Sequence, residues 1–444
     1  MVFSNSVIEN FINNPRETAE SFYLYTRDKK IKSNYVSIDK KDTCCIISQQ
    51  LRKTSNLPIS SDDQSEPQKC VISSINIPEG KIGKPFLVEL PDGNYSIWKL
   101  SKLRGVKLRV LDKSPSFRMN KMFDATCIPM PDLKAVYIGC DEFTNEILNA
   151  YALSYIFNAN NFPIESFARH TGSAICHDNK NNLIGVNEIE YSKYGSLNNI
   201  TENRDFDQFR SQFSFYTRNK EEKKLYGIES VHILSIVRHV YSTLDFLQKE
   251  GNFNHGDLKV GNIVLDSAPA KGKYGNINLD APFTTKLIDF GKSSVTVKSS
   301  GKRSIRFYSE TKIANVYLML TTFEPQIFER FGESYYVLDD TLNATIYAKS
   351  RHLGLPFYMT WDMYTFMVSL FLIPEIYYRV FTNPDLIRRL WEPLWFPDEG
   401  SEMYKKIGRA IVNETKPSYD NIVSMLKGFK LKCALMDRFE QSLS

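Results

Sequence analysis

The chain has no Cys-x-x-Cys pair, no apolar leader, no run of apolar residues long enough to span a bilayer, and no strong excess of charge. Each absence removes a class. The seven cysteines (Cys44, Cys45, Cys70, Cys127, Cys140, Cys176 and Cys433) are odd in number and scattered, which argues against a zinc site and fits reduced thiols in an intracellular protein. Cys176 and His177 are adjacent rather than metal-spaced, so they read as structural. The opening twenty residues carry Glu9, Arg16, Glu17 and Glu20, which is not the pattern of a secretory leader. The most apolar stretch, Tyr364 to Ile373, stops at Pro374-Glu375 and reads as a buried helix. A net charge of +5 is small for 444 residues, so no nucleic-acid partner is expected.

What the chain does have is ordinary globular composition, with 42% apolar and 24% charged residues. Its length suits two or three domain-sized units with a substantial core. The 29 Phe and 24 Tyr point to a well-filled interior.

The most informative segment is His255-Gly256-Asp257-Leu258-Lys259-Val260-Gly261-Asn262, followed by Leu287-Ile288-Asp289-Phe290-Gly291. Either piece alone is a turn. Together, beside strand-like Ile263-Val264-Leu265 and Lys286-Leu287-Ile288, they form a set that phosphoryl transfer from ATP requires. One carboxylate orients the attacking hydroxyl, an amide and a second carboxylate hold magnesium, and a cation neutralises the γ-phosphate.

The pair of motifs resembles the catalytic loop and magnesium loop of protein kinases. The resemblance implies an α+β, two-lobed protein-kinase-like fold: a small β-rich lobe and a large helical lobe, with insertions. Residues 1–69 would be an extension and linker, with one helix over Val7 to Tyr25. Residues 70–191 would form the small lobe, with an insertion near 104–140. Residues 192–444 would form the large lobe, with insertions near 266–285 and 310–350.

Within the small lobe, strands are expected over Val71–Ile77, Phe86–Leu90 and from Tyr95 to Leu100. Period-2 alternation sets Ile97 and Lys99 on one face of the third strand, opposite Ser96, Trp98 and Leu100. Lys99 falls where the family keeps the lysine that grips the α- and β-phosphates; Lys102 is its rival. Ile97 departs from the small residue usual two positions earlier. Gly80 and Gly83 stand where the phosphate-covering glycine loop belongs, without a full G-x-G-x-x-G, and an ordinary hairpin turn is the alternative. A helix is expected over Asp141–Ile156, with Phe143, Ile147, Ala150 and Tyr151 along one side. Glu146 on it would pair with Lys99, and Glu142 competes for that role. Asn187 to Leu197 resembles the hinge, with Ile189 gating the back pocket and the backbone from Glu190 through Tyr191 to Ser192 meeting the adenine.

The helix over Glu229–Lys249 has one apolar stripe and leads into the catalytic-loop segment. The resemblance gives Asp257 the substrate hydroxyl, Lys259 the γ-phosphoryl charge, and Asn262 and Asp289 the magnesium, with manganese as an alternative. Asp362-Met363-Tyr364-Thr365-Phe366 is similar to the start of the large lobe's central helix, where Asp362 would brace the catalytic loop. Gly256 replaces a common arginine, and no Ala-Pro-Glu follows the basic, Ser- and Thr-rich stretch from Lys292 to Lys312. That stretch reads as a solvated loop, with Lys298 to Arg306 as an alternative dock for acidic peptides.

The resemblance implies an ATP-dependent transferase acting on serine or threonine of a protein. Lys259 favours that substrate class over the small-molecule phosphotransferases, which commonly have histidine there. A catalytically silent binding module is the reading from a different class. The landmarks are most similar to divergent serine/threonine kinases of large DNA viruses, with a cytoplasmic or virion location.

Overall fold

The computed structural model describes residues 2–19, 71–73, 83–89, 94–103, 108–112, 135–177, 183–197, 230–298, 303–310, 362–363, 365–367, 369–370, 376, 383–386, 389–390, 440–441 and 443–444. Helix and strand are mixed. Helix α1 (Val2–Asn13) comes first, then strands β1 (Val71–Ser73), β2 (Gly83–Glu89), β3 (Tyr95–Leu103), β4 (Leu108–Leu111) and β5 (Val136–Cys140). Helix α2 (Glu142–Asn160), strands β6 (His170–His177), β7 (Leu183–Glu190) and β8 (Gly195–Ser196), and helix α3 (Ser230–Gly251) follow. Strands β9 (Ile263–Asp266), β10 (Lys273–Tyr274), β11 (Ile277–Asn278), β12 (Thr284–Leu287), β13 (Ser294–Val297) and β14 (Ile305–Ser309) come next.

The first sheet has the order β1-β2-β3-β7-β6, and every neighbouring pair is antiparallel. Lys99 on β3 pairs in register with Asn187 on β7, which sets both near the helix that crosses the sheet. That helix is α2. It starts one residue later than its sequence pattern predicts because Asp141 is its cap, accepting from Thr144 N at 3.1 Å. It ends at Asn161, whose φ of 50° is a left-handed stop that asparagine tolerates. Gly185 on β7 lets the helix approach: a Cβ there would lie 2.4 Å from the Phe143 ring.

A second sheet, β13-β14-β5-β4, lies beside α2 and was not expected from the sequence. Its middle pair, β14 and β5, is parallel, and both strands are buried along their full length. Strands buried on both faces lose the alternation that betrays them in a sequence. One expectation is filled in here and another is corrected. Residues 104–140, read as an insertion, contribute β4 and β5 to this sheet. Within the basic stretch read as a solvated loop, Ser294–Val297 and Ile305–Ser309 are buried strands. Arg306 is 2% exposed and donates to Asn252 O, Thr296 Oγ1 and Ser294 Oγ at 2.9, 2.8 and 2.5 Å. Paired donors of this kind make a buried guanidinium tolerable, so its charge marks no surface.

The N-terminal helix begins earlier than expected and is interrupted, and residues 20–25 of the expected span lie outside the described residues. It breaks at Asn14, because Pro15 has no N–H to continue the ladder, and the chain is helical again over the described residues 15–19. Ile8, Phe11, Ile12 and Ala19 join the same apolar core as α2 rather than standing apart from it. Helix α3 buries Ile233, Val237, Val240, Tyr241, Leu244 and Leu247, the stripe its periodicity predicts. His239 ties α3 to the hairpin beyond it through Leu279 O at 2.8 Å and Thr285 Oγ1 at 3.1 Å. The excursion near 266–285 contains the short β10–β11 hairpin. Residues 311–350, Gly80, the linker from Thr54 to Lys69 and most of the C-terminal tail lie outside the described residues. Gly83 opens β2 opposite Ser101, so it belongs to a strand and not to the expected loop.

Candidate active site

Strands β9 and β12 pair antiparallel, with Ile263 opposite Leu287. Because Asn262 precedes one strand and Asp289 follows the other, the hairpin delivers both to the same end. Ile288 N donates to Asn262 O at 3.1 Å and closes that end. Segments 27 positions apart in sequence become neighbours for this reason.

Asp289 sits at φ 66°, in the left-handed region that aspartate enters more readily than most residues. The turn aims its carboxylate at β3. Lys99 Nζ lies 2.7 Å from Asp289 Oδ1, and 3.1 and 3.0 Å from the two oxygens of Glu146. Asn187 Nδ2 donates to Glu146 Oε2 at 3.1 Å. Between the two candidate glutamates, therefore, Glu146 is the one that meets Lys99. Burial works against the Lys99 ammonium, yet the charges of Asp289 and then Glu146 outweigh it and raise its pKa. Burial pushes Glu146 up, against the pull of Lys99. Burial also acts upward on Asp289, but Lys99 prevails and holds that carboxyl low, at about 2.

The loop bearing Asp257 is braced from behind. Gly256 has φ 80°, a backbone conformation that side chains rarely adopt and that glycine takes without strain. This turn points two successive N–H groups at one carboxylate: His255 N donates to Asp362 Oδ2 at 2.6 Å and Gly256 N to Asp362 Oδ1 at 3.0 Å. The bracing expected of Asp362 is thus present as two hydrogen bonds. Burial raises the Asp362 carboxyl to about 7 while those two donors pull it down. His255 Nε2 lies 2.9 Å from Ile288 O, and Asn262 Nδ2 donates to Asp257 O at 2.7 Å. Asp257 Oδ2 is 2.9 Å from Lys292 Nζ and 3.4 Å from Lys259 Nζ.

Several groups here went unread in the sequence. Asn145, fully buried on α2, donates through one Nδ2 to Phe290 O (3.3 Å), Gly291 O (3.0 Å) and Ser293 O (2.8 Å). It clamps the turn after Asp289 to the helix that carries Glu146. No local pattern singled it out: α2 also carries Glu142, Thr144, Glu146 and Asn149, so Asn145 stands out only once its burial and its partners are known. Asn145→Ala is expected to lower unfolding stability by about 2–3 kcal/mol, because buried carbonyls lose their donor; urea denaturation measures it. Lys286, 1% exposed on β12, lies 2.9 Å from both Glu190 and Asp266.

The hinge-like segment gives a mixed result. Ile189, next to last in β7, lies opposite Ile97. Glu190 N donates to Arg169 O at 2.9 Å, so of the backbone expected at the adenine this one N–H is engaged within the protein. Tyr191 is half-buried and its ring lies 5.8 Å from that of Tyr95. Ser192 Oγ is buried with no hydrogen-bond partner among the described residues. Among the described residues no three His, Cys, Asp or Glu side chains cluster as a metal site, and no helix is long and apolar enough to cross a membrane.

No family model matches the chain, and no curated relative does. Among solved structures, the chain is similar to the crystal structure of the BubR1 kinase domain, at 15% identity over 86% of this chain and 87% of that one, with a TM-score of 0.35.

Proposed function

We propose that this chain is an ATP-dependent phosphotransferase of the two-lobed protein-kinase type, moving the γ-phosphoryl group to a serine or threonine hydroxyl of a protein. The observation that carries the reading is Lys99, which bridges Glu146 and Asp289 from three distant segments. One ammonium set between two carboxylates leaves one negative charge in excess, which a divalent cation carrying phosphates would offset.

The residues present fit the groups such a reaction needs. Asp289 Oδ1 is engaged by Lys99, which leaves Oδ2, and the Asn262 amide nitrogen is engaged by Asp257 O, which leaves its oxygen. Two protein oxygens suit magnesium, which keeps water and phosphate as its other ligands; manganese takes the same donors. Asn262 and Asp289 would hold the ion, whose positive charge would offset the charge that develops on the phosphates. Lys99 would grip the α- and β-phosphates. The adenine would lie against Ile189 and the backbone from Glu190 to Ser192, where the buried Ser192 hydroxyl has no partner among the described residues. Asp257 would receive the acceptor hydroxyl and orient it in line, and Lys259 would meet the γ-phosphoryl charge. The resemblance of the Asp257–Lys259 spacing to serine/threonine kinases is what supports a protein hydroxyl as acceptor.

Incubation of the full chain with γ-labelled ATP, magnesium, generic protein acceptors and low-mass alcohols tests this. Label should enter protein serine or threonine, and Asp257→Asn should cut the rate by about a hundredfold or more. Label on a low-mass acceptor alone would replace the protein acceptor by a small molecule. Nucleotide binding without transfer would leave a silent binding module.

A further inference from the structure

We infer that Lys292 is a positioning residue for the acceptor: it pins Asp257 Oδ2, so that Oδ1 faces the incoming hydroxyl and Lys259 is free to turn to the phosphate. This rests on the phosphotransfer reading above. Both lysines share one carboxylate oxygen, but unequally. Lys292 is 2.9 Å away with its side chain 11% exposed, whereas Lys259 is 3.4 Å away and 37% exposed. The nearer, drier pair persists, while the longer, wetter one is screened and held loosely. Asp257 Oδ1 has no partner among the described residues.

The terminal torsion of an aspartate is broad, so a carboxylate without a fixed partner samples many orientations. An anchor on one oxygen removes that freedom and presents the other in a set direction, as orientation of a hydroxyl requires. A triphosphate is a dense anion and draws the nearest mobile cation. Lys259 can leave Asp257 for it only if another cation stays behind. Lys292 is suited to stay because its backbone is fixed: it closes the turn Phe290–Lys292, whose Phe290 and Gly291 carbonyls accept from Asn145. The same turn begins at Asp289. One short segment thereby positions the metal-side carboxylate at one end and the acceptor-side carboxylate, through Lys292, at the other.

Lys292→Met and Lys292→Arg in the full chain, measured beside the unmutated protein, test the assignment. For Lys292→Met we expect kcat to fall about 10- to 100-fold, the cost of a misdirected reacting group. The KM for ATP and the affinity for a fluorescent ADP analogue with magnesium should stay within about twofold, since ground-state nucleotide binding is untouched. Lys292→Arg should recover most of kcat, because its guanidinium also reaches a carboxylate. An unchanged kcat in Lys292→Met overturns the inference, as does a parallel loss of nucleotide affinity or an arginine variant no better than methionine. An unmutated chain that transfers label to no acceptor overturns the phosphotransfer reading instead, and this inference falls with it.

Discussion

Lys99→Met will lower phosphoryl transfer by about 10²- to 10³-fold, the scale on which one fixed charge aimed at a phosphate matters. It will also destabilise the fold, by about 3 kcal/mol, because removing one member of a buried ionic cluster leaves the others uncompensated. Glu146 is 4% exposed and Asp289 lies on the other side of the same ammonium, so the methionine variant sets two carboxylates against each other. Asn187 remains on Glu146, but one amide does not replace a charge. Adding Glu146→Gln to Lys99→Met removes one of the two stranded charges. The double variant should therefore be less destabilised than the sum of the single ones, whereas its transfer rate should not recover. Urea unfolding of the four proteins of that cycle gives the coupling directly, and steady-state kinetics gives the rate. Additive stabilities would show that Lys99 and Glu146 do not act as a pair.

What the sequence revealed and what it concealed divide along physical lines. The grouping of Asp257, Asn262 and Asp289 was legible because a single hairpin, β9–β12, brings the two motifs to one end. Spacing along one chain segment survives in the sequence. Lys99 and Glu146 were harder, since they come from separate elements and only the phase of α2 tells Glu146 from Glu142. Lys292 and Asn145 escaped notice for a different reason: each acts on a backbone or side chain of a remote segment, and nothing in its own neighbourhood requires it. The second sheet was concealed more thoroughly. β13 and β14 read as polar, with Ser294, Thr296 and Arg306, yet all nine of their residues are buried. Their polar groups satisfy one another and the turn at Asn252 and Asn254. Mutual satisfaction is a property of the folded state and leaves no periodicity to read.

Truncation of Phe11 to alanine is expected to cost about 3–5 kcal/mol of stability, the usual range for emptying a buried phenyl site. The side chain is fully buried and its ring meets Phe307 edge-on at 5.3 Å, so α1 is joined to β14 by a packed aromatic pair. Its position gives the substitution a second effect. α2 is buried on nearly all sides: the first sheet holds one face, the second sheet and α1 cover others, and only its last turns reach solvent. A helix gripped in this way has little room to swing, so Glu146 and Asn145 are held at Lys99 and at the Asp289 turn. With the Phe11 ring gone, that cover loosens, and transfer should fall at temperatures well below the unfolding midpoint. Val231→Ala, at a valine 58% exposed on α3, serves as the comparison and should change stability by less than about 0.5 kcal/mol. If Phe11→Ala is destabilised as expected but turns over normally at low temperature, α1 supports the fold without holding α2, and the helix keeps its place through Asn145 and the two sheets alone.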